Sequence, residues 1–458
     1  MMRGAVSTIL DAVGHTPIVK LQHVGSDVEA DLYVKCEYLN PAGSMKDRMT
    51  KHLIDQAEKR GELSPGGTII EATSGNTGAA LAMIAAVRGY KCIFVMPDKM
   101  SQEKIASLRA YGARVVVCPT AVEPDDPRSY YSVAERLARE TPGSFYTRQY
   151  ENLDNPGGHY ASTGPEIWEQ TGGEIDVLVA GLGTGGTITG TGRYLKERKN
   201  DVKLVGVDPV GSLYYDFVKS GRVTKPFTYK VEGIGEDFFP KTIDLKILDE
   251  IVRVDDKECF LTARELLRHE GLYVGGSAGA AVAGAIKYAR QTKAKQNILI
   301  MLPDSAAKYL SKIYNDEWMR ENGFLEDEPG LGTVRDLLRN KGVDEVITAK
   351  AEDRVRDVIA RMKAHGISQL PIMKDGKLLG AVAEVDMLRY LVSGEHSLDS
   401  PVEPLVESDY ATVSLETRIE NVQGLLNDAR MAVVLDEAKI VGIVTKIDLI
   451  DYLARRAS

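Results

Sequence analysis

A lysine stands at position 46 in NPAGSMKDR, residues 40–48, after a turn built from Asn40, Pro41 and Gly43 and a serine, Ser44, able to cap the helix that follows. The first turn of a helix carries a partial positive charge, so an ammonium placed there loses its proton more easily. A neutral lysine is a nucleophile. Most lysines are solvated surface charges, however, and the rest of the chain has to single this one out. Two glycine-rich loops help to do so. EATSGNTGAALA sets Thr73, Ser74, Gly75, Asn76 and Thr77 between a strand and a helix, where free N–H groups and hydroxyls meet an anion. GLGTGGTITG sets Gly181, Gly183, Gly185 and Gly186, with the hydroxyls of Thr184 and Thr187, where the backbone can wrap a phosphate.

Each loop alone has a plainer reading as an ordinary helix cap. The second loop also has a rival: Gly181, Gly183 and Gly186 satisfy G-x-G-x-x-G, and the next strand ends in Asp208, where a nicotinamide enzyme would bind ribose. A dinucleotide site, however, needs one such loop and no lysine. Two anion cradles with a lysine describe a one-phosphate cofactor joined to an amino acid through an imine, which is pyridoxal phosphate chemistry. In YVGGSAGAAVAGAIKYAR, Ser277 occupies a tight turn ahead of an Ala/Gly-rich helix. A neutral hydroxyl on the pyridine nitrogen would leave the ring unprotonated, which suits elimination and replacement at the β-carbon over transamination.

The elements that must hold these residues are legible as alternation. DLYVKCE, GTIIEA, KCIFVMP, ARVVVCP, DVLVAGL, KLVGVDP and NILIMLP read as strands, with helical patterns such as NTGAALAMIAAVRGY and SQEKIASLRAYG between them. This predicts an α/β fold of parallel sheets covered on both faces, with ligands at the strands' carboxyl ends. FLEDEPGLGT, residues 324–333, reads as a linker. Beyond it, residues 367–391 and 429–453 repeat each other: a strand, an acidic turn, a second strand beginning at Gly380 or Gly442, and a helix opening at Asp386 or Asp448. The expected division is a catalytic region 1–323, the linker, and two motifs at 334–395 and 396–458. In GIVTKID, Thr445 and Asp448 could meet a phosphate or adenosyl group and a ribose, unless they are cap residues of a purely structural module; the first repeat has Ala383 in place of Thr445 but keeps Asp386.

Bulk properties narrow the partners. The 458 residues carry 66 acidic against 57 basic side chains, a formal charge of −9 that argues against general affinity for nucleic acid or anionic membrane. Cys36, Cys92, Cys118 and Cys259 are scattered, with no metal-binding spacing and no disulfide framework. A reducing cytoplasmic setting is expected, without signal peptide, membrane span or metal.

The ordered set NPAGSMKDR, SGNTG, GTGGTITG and GGSAGA resembles the β-family, or fold type II, of pyridoxal-phosphate enzymes. With RQYENLDNP, VEGIGEDF and LPDSAAKYLSKIYNDEWM it is similar, from residue 8 to about 324, to the cystathionine β-synthase family, and the tail resembles its paired CBS-domain (Bateman) motifs. The resemblance implies that Lys46 binds the cofactor covalently, Asn76 meets its 3′-oxygen, Gly183, Thr184, Gly185, Gly186 and Thr187 hold its phosphate, and Ser277 meets its ring nitrogen. Ser74, Gly75, Thr77 and Gln149 would hold the substrate carboxylate. It implies condensation of serine with homocysteine, the alternative being O-acetylserine with sulfide, in at least a homodimer. An adenosyl ligand, S-adenosylmethionine or else AMP or ATP, would bind the tail at Thr445, Asp448 and Asp386. Vertebrate relatives carry a haem-binding extension; only about a dozen residues precede Gly14, so no haem is expected. Glu236 stands where those relatives have Tyr, and Ala307-Lys308 where they have Arg-Asn.

Overall fold

The computed structural model describes residues 4–457 except 74, 99–101, 120–121, 123–125, 327–329, 342–345, 393–396 and 437–438. The chain forms two compact units, Met1–Leu325 and Glu326–Ser458.

In the first unit all seven predicted runs are strands. Asp31–Cys36, Asn297–Leu302, Val177–Gly181 and Lys203–Pro209 lie side by side in a six-stranded sheet, and Thr68–Ala72, Lys91–Pro97 and Arg114–Cys118 in a four-stranded one. Neighbours run parallel, Ile298 pairing with Leu32 on one side and Val177 on the other. Val34, Val179, Val205 and Ile300 are fully buried, as a sheet covered on both faces requires. Three further strands escaped the pattern: Ile18–Lys20, Ser144–Tyr146 and Glu250–Val254. They are short edge strands, and Ile18–Lys20 pairs antiparallel, with too few residues to display a period. The Ala/Gly-rich helix Gly276–Thr292 crosses Asp256–Glu270 at very close range, because a Cβ on Gly279 would lie 2.0 Å from the carbonyl oxygen of Cys259. All four cysteines are buried and free.

The helix that begins with Lys46, Lys46–Lys59, is anchored by a buried ionic knot. Arg48 Nε donates to Glu37 Oε2 at 2.7 Å and Nη1 to Glu166 Oε2 at 2.7 Å, and the Thr16 hydroxyl donates to Glu37 Oε1 at 2.7 Å. With Arg48 and Glu37 almost wholly out of water, the pairing is obligatory, since a lone buried charge is very costly.

The second unit contains two similar three-stranded sheets. One joins Ala349–Lys350, Gln369–Lys374 and Lys377–Ala383, the other Tyr410–Ser414, Met431–Asp436 and Lys439–Thr445. Both break register at equivalent points, Ile372/Met373 and Val434/Leu435. Gly380 and Gly442 prove to lie in mid-strand rather than at its start. There they admit close neighbours: a Cβ would meet the Glu407 carbonyl oxygen at 2.5 Å in one repeat and Leu338 Cδ1 at 2.6 Å in the other. The following helices start two residues ahead of Asp386 and Asp448, at Glu384 and Lys446. The helix Val334–Lys341 buries Val334 and Leu337 among Val413, Val422 and Val444 of the second repeat, although it precedes the first in sequence. Val402 and Leu405, from the connection between the repeats, pack with Val355 and Ile372 of the first.

Candidate active site

Lys46 is the first residue of its helix, and the chain enters that helix along the end of a strand. Ser44 bridges Asp304 in an antiparallel pair, Met45 N–H donates to the Pro303 carbonyl at 2.9 Å, and the Ser44 hydroxyl accepts the Lys46 N–H at 3.3 Å. Ser44 thus bonds the helix start, although Met45 occupies the cap position. Burial lowers the Lys46 pKa, and the negative charges of Glu236 and Asp304 act against it. Desolvation is therefore what favours the free amine.

The SGNTG loop opens the helix Asn76–Arg88, with Gly75 at its cap. Ser74 lies outside the described residues. Asn76 Nδ2 donates to Asp304 Oδ2 at 2.8 Å, and the Thr77 hydroxyl donates to Gln149 Oε1 at 2.6 Å, so two of the proposed carboxylate holders touch. Gln149 is placed from below by Glu71, whose carboxylate receives the Thr147 hydroxyl and, at 3.4 Å, the Gln149 N–H. Glu71 is buried, which pushes its pKa up to about 7 despite those bonds.

The second loop turns after Val177–Gly181 into the helix Gly186–Arg198, so Gly186 and Thr187 are already helical rather than ahead of the helix. Gly185 takes φ +76°, and a Cβ there would come within 2.2 Å of Ile243. A Cβ on Gly186 would come within 1.9 Å of Asn155 Oδ1, and on Gly183 within 2.7 Å of the Gly233 carbonyl oxygen. Asn155 Nδ2 donates to Thr184 Oγ1 at 3.1 Å, Thr242 donates to the Thr184 carbonyl at 2.6 Å, and Tyr214 donates to that of Gly183 at 2.8 Å. The Thr187 hydroxyl lies 3.2 Å from His159 Nε2 and 3.5 Å from Met45 Sδ, linking the cradle to the residue before Lys46. His159 is driven toward the neutral form by burial and then by the nearby Lys46 charge.

Ser277, buried, is the second residue of Gly276–Thr292 rather than part of the turn ahead of it. The loop carrying Gly233 and Gly235 passes beside it: a Cβ on Gly233 would stand 4.0 Å from Ser277 Oγ, and Gly235 N–H donates to the Leu182 carbonyl at 2.6 Å. This loop brings Glu236 toward Lys46. Burial, then the neighbouring Asp237, pushes Glu236 up to about 8, against the pull of Lys46.

Asp304 joins these parts and was not singled out from sequence. It bridges Ser44, accepts from Asn76 and from the Tyr309 hydroxyl at 2.7 Å, and its carbonyl accepts the Gly275 N–H at 2.9 Å. Its signal was its place at the carboxyl end of NILIMLP. Asn155, His159, Tyr214, Thr242 and Glu71 were likewise missed; Asn155 lies within RQYENLDNP and Glu71 within GTIIEA, but nothing local marks what either of them touches.

Asp208 answers the dinucleotide reading. It is fully buried, and its Oδ2 accepts the Tyr215 N–H at 2.8 Å instead of facing a ribose. What the site offers is a half-buried amine, a glycine cradle at a helix N-terminus and a buried neutral hydroxyl. These fit a ligand with one phosphate, a ring nitrogen and a reactive aldehyde, as in pyridoxal phosphate.

Residues 9–304 match the family of pyridoxal-phosphate dependent enzymes, and residues 330–393 and 402–455 match CBS domains. Cystathionine beta-synthase of Dictyostelium discoideum is 38% identical, across 98% of this chain and 93% of that protein. That of Saccharomyces cerevisiae is 35% identical across 97% of each. Among solved structures, a hydrogen sulfide-producing enzyme from Fusobacterium nucleatum superposes with a TM-score of 0.62 at 34% identity, covering 67% of this chain and 99% of its own. Similarity that runs through the catalytic unit and both repeats places the chain in the cystathionine β-synthase family, as a fold type II pyridoxal-phosphate enzyme with a tandem CBS module.

Proposed function

We propose that this chain replaces the β-hydroxyl of serine with the thiol of homocysteine, giving cystathionine and water. The observation that carries the reading is the collinear match to cystathionine beta-synthases through both the catalytic unit and the two repeats.

Bound pyridoxal phosphate would supply an electron sink conjugated with the substrate's α-carbon through the amino nitrogen. Lys46 would hold it through its side-chain amine, and with serine bound that amine would be free to move protons. That side chain, whose pKa burial lowers, would then remove the α-proton of serine and deliver a proton to the departing hydroxyl. Thr77, Gln149 and the N–H groups at the start of Asn76–Arg88 orient the substrate carboxylate. Gly183–Thr187 fix the phosphate at the start of Gly186–Arg198, and Ser277 offers the ring nitrogen a neutral partner. Turnover of purified protein with serine plus homocysteine is expected to exceed that with O-acetylserine plus sulfide; the opposite order would make it a cysteine synthase. Borohydride reduction of the cofactor-saturated protein followed by peptide mapping is expected to label Lys46, and label elsewhere would overturn the assignment.

The second unit is proposed to bind an adenosyl ligand, S-adenosylmethionine before AMP or ATP. Asp448 Oδ2 accepts from the Thr445 N–H and hydroxyl at 2.8 and 2.7 Å and from Lys341 Nζ at 2.8 Å. Asp386 accepts the Ala383 N–H on Oδ2 at 2.9 Å and Arg430 Nη1 on Oδ1 and Oδ2 at 2.9 and 2.7 Å, so both its oxygens are engaged. The second repeat is accordingly the better site. Calorimetry of Asp448→Ala should show binding weakened at least about tenfold; an unchanged isotherm would remove Asp448 from the site. A homodimer or larger assembly, working in the cytoplasm, completes the reading; buried free thiols suit that compartment.

A further inference from the structure

Lys308 has no part in the steps above. It ends the short 3-10 turn Ala306–Lys308 beyond the strand Asn297–Leu302, and its ammonium donates to Asn76 Oδ1. Across the same amide, Nδ2 donates to Asp304 Oδ2 at 2.8 Å, and Tyr309 steadies that carboxylate at 2.7 Å. An ammonium can only donate, and a carboxylate can only accept. The cation on one side and the anion on the other therefore permit one orientation of the amide. Turned over, it would set its NH2 against the ammonium and its carbonyl against the carboxylate. One Nδ2 hydrogen is left over. Electron density drawn toward Oδ1 makes that remaining N–H a stronger donor. Lys308 is half-buried; burial lowers its pKa, while the carboxylates of Asp304 and Asp47 raise it.

We propose that Lys308 is a positioning residue, which orients and polarises the Asn76 amide so that its free Nδ2 hydrogen serves the ring oxygen of bound pyridoxal phosphate and favours the ionised form of that oxygen. The inference rests on the placement of Asn76 beside that oxygen. It concerns the cofactor's affinity and colour as well as turnover.

The test is a double-mutant cycle on the cofactor-loaded full chain, with Lys308→Met, Asn76→Ala and both together. The readouts are the cofactor's dissociation constant and the ratio of its long- to short-wavelength absorption bands. Lys308→Met should weaken cofactor binding about tenfold, the scale of one charge-assisted hydrogen bond, and lower the band ratio. Lys308→Gln, which keeps a donor, should recover most of both. In the Asn76→Ala background, Lys308→Met should add less than about twofold, because the group through which it acts is gone. Equal effects with and without Asn76 would mean that Lys308 acts only through its charge, and would overturn the proposal. So would a Lys308→Met protein with wild-type affinity and spectrum. If Asn76→Ala alone left affinity and spectrum unchanged, the placement of Asn76 would fall and the proposal with it; the first two outcomes leave that placement intact.

Discussion

Glu236 hangs from a backbone tied on both sides of its peptide: its N–H donates to Ser212 Oγ at 3.1 Å, and its carbonyl accepts the Leu213 N–H at 3.1 Å. The residue is half-buried and near enough to Lys46 to feel its charge, and the neutral acid is favoured up to about pH 8. A folded-state pKa above the unfolded value gives stability that is complete below the unfolded pKa and is lost as pH rises through the folded one. The cofactor-free protein should therefore melt at a lower temperature as pH is raised from about 5 to about 8, and Glu236→Gln should flatten that slope. Melting curves for the two proteins that stay parallel across this range would show that Glu236 does not titrate there. At the same scale, Lys46→Ala should cut turnover by about a thousandfold or more, since no other described side chain has been assigned its proton transfers.

At the scale of elements, the proposed phosphate cradle depends on a backbone that ordinary side chains cannot follow. Gly185 combines a left-handed φ of +76° with a Cβ position 2.2 Å from Ile243. An alanine there bears about 1–2 kcal/mol of backbone strain before any clash is counted. Gly185→Ala should accordingly weaken cofactor binding by about tenfold or more, read by titration of the cofactor's absorbance. Gly75, at the cap of the neighbouring helix, has φ 179° and no atom within 4 Å of the point a Cβ would occupy, so backbone strain gives no reason for a comparable loss there. The two glycine loops look alike as strings, and they differ in what surrounds them.

Considered whole, the chain has two units with separate cores, so heat or denaturant should unfold it in more than one step. Within the second unit, the repeats are joined by the bidentate contact of Arg430 with Asp386, whose side chain is 5% exposed. Arg430→Ala would leave that largely buried carboxylate with the Ala383 N–H and the more distant Arg389 guanidinium, and should lower the second unit's stability by about 1–2 kcal/mol. Differential calorimetry should show the transition of the second unit moved down and that of the first unmoved; a shift of both would reveal one cooperative system.

Sequence alone determined the parts whose information is local. Seven strands follow from β-branched runs, the helix Asn76–Arg88 from its apolar spacing, and the proposed roles of Lys46 and of the Gly183–Thr187 turn from residues adjacent in the chain. Tertiary structure decided whatever depends on partners far apart along it. Asp304 meets Asn76 across 228 positions and Lys308 meets it across 232, Gln149 is set by Glu71 across 78, and the helix Val334–Lys341 joins the core of the later repeat. Periodicity and turn chemistry act over a few residues and can fix an element. A contact between distant residues is chosen by how sheets and helices pack, and a single string carries no local mark of it.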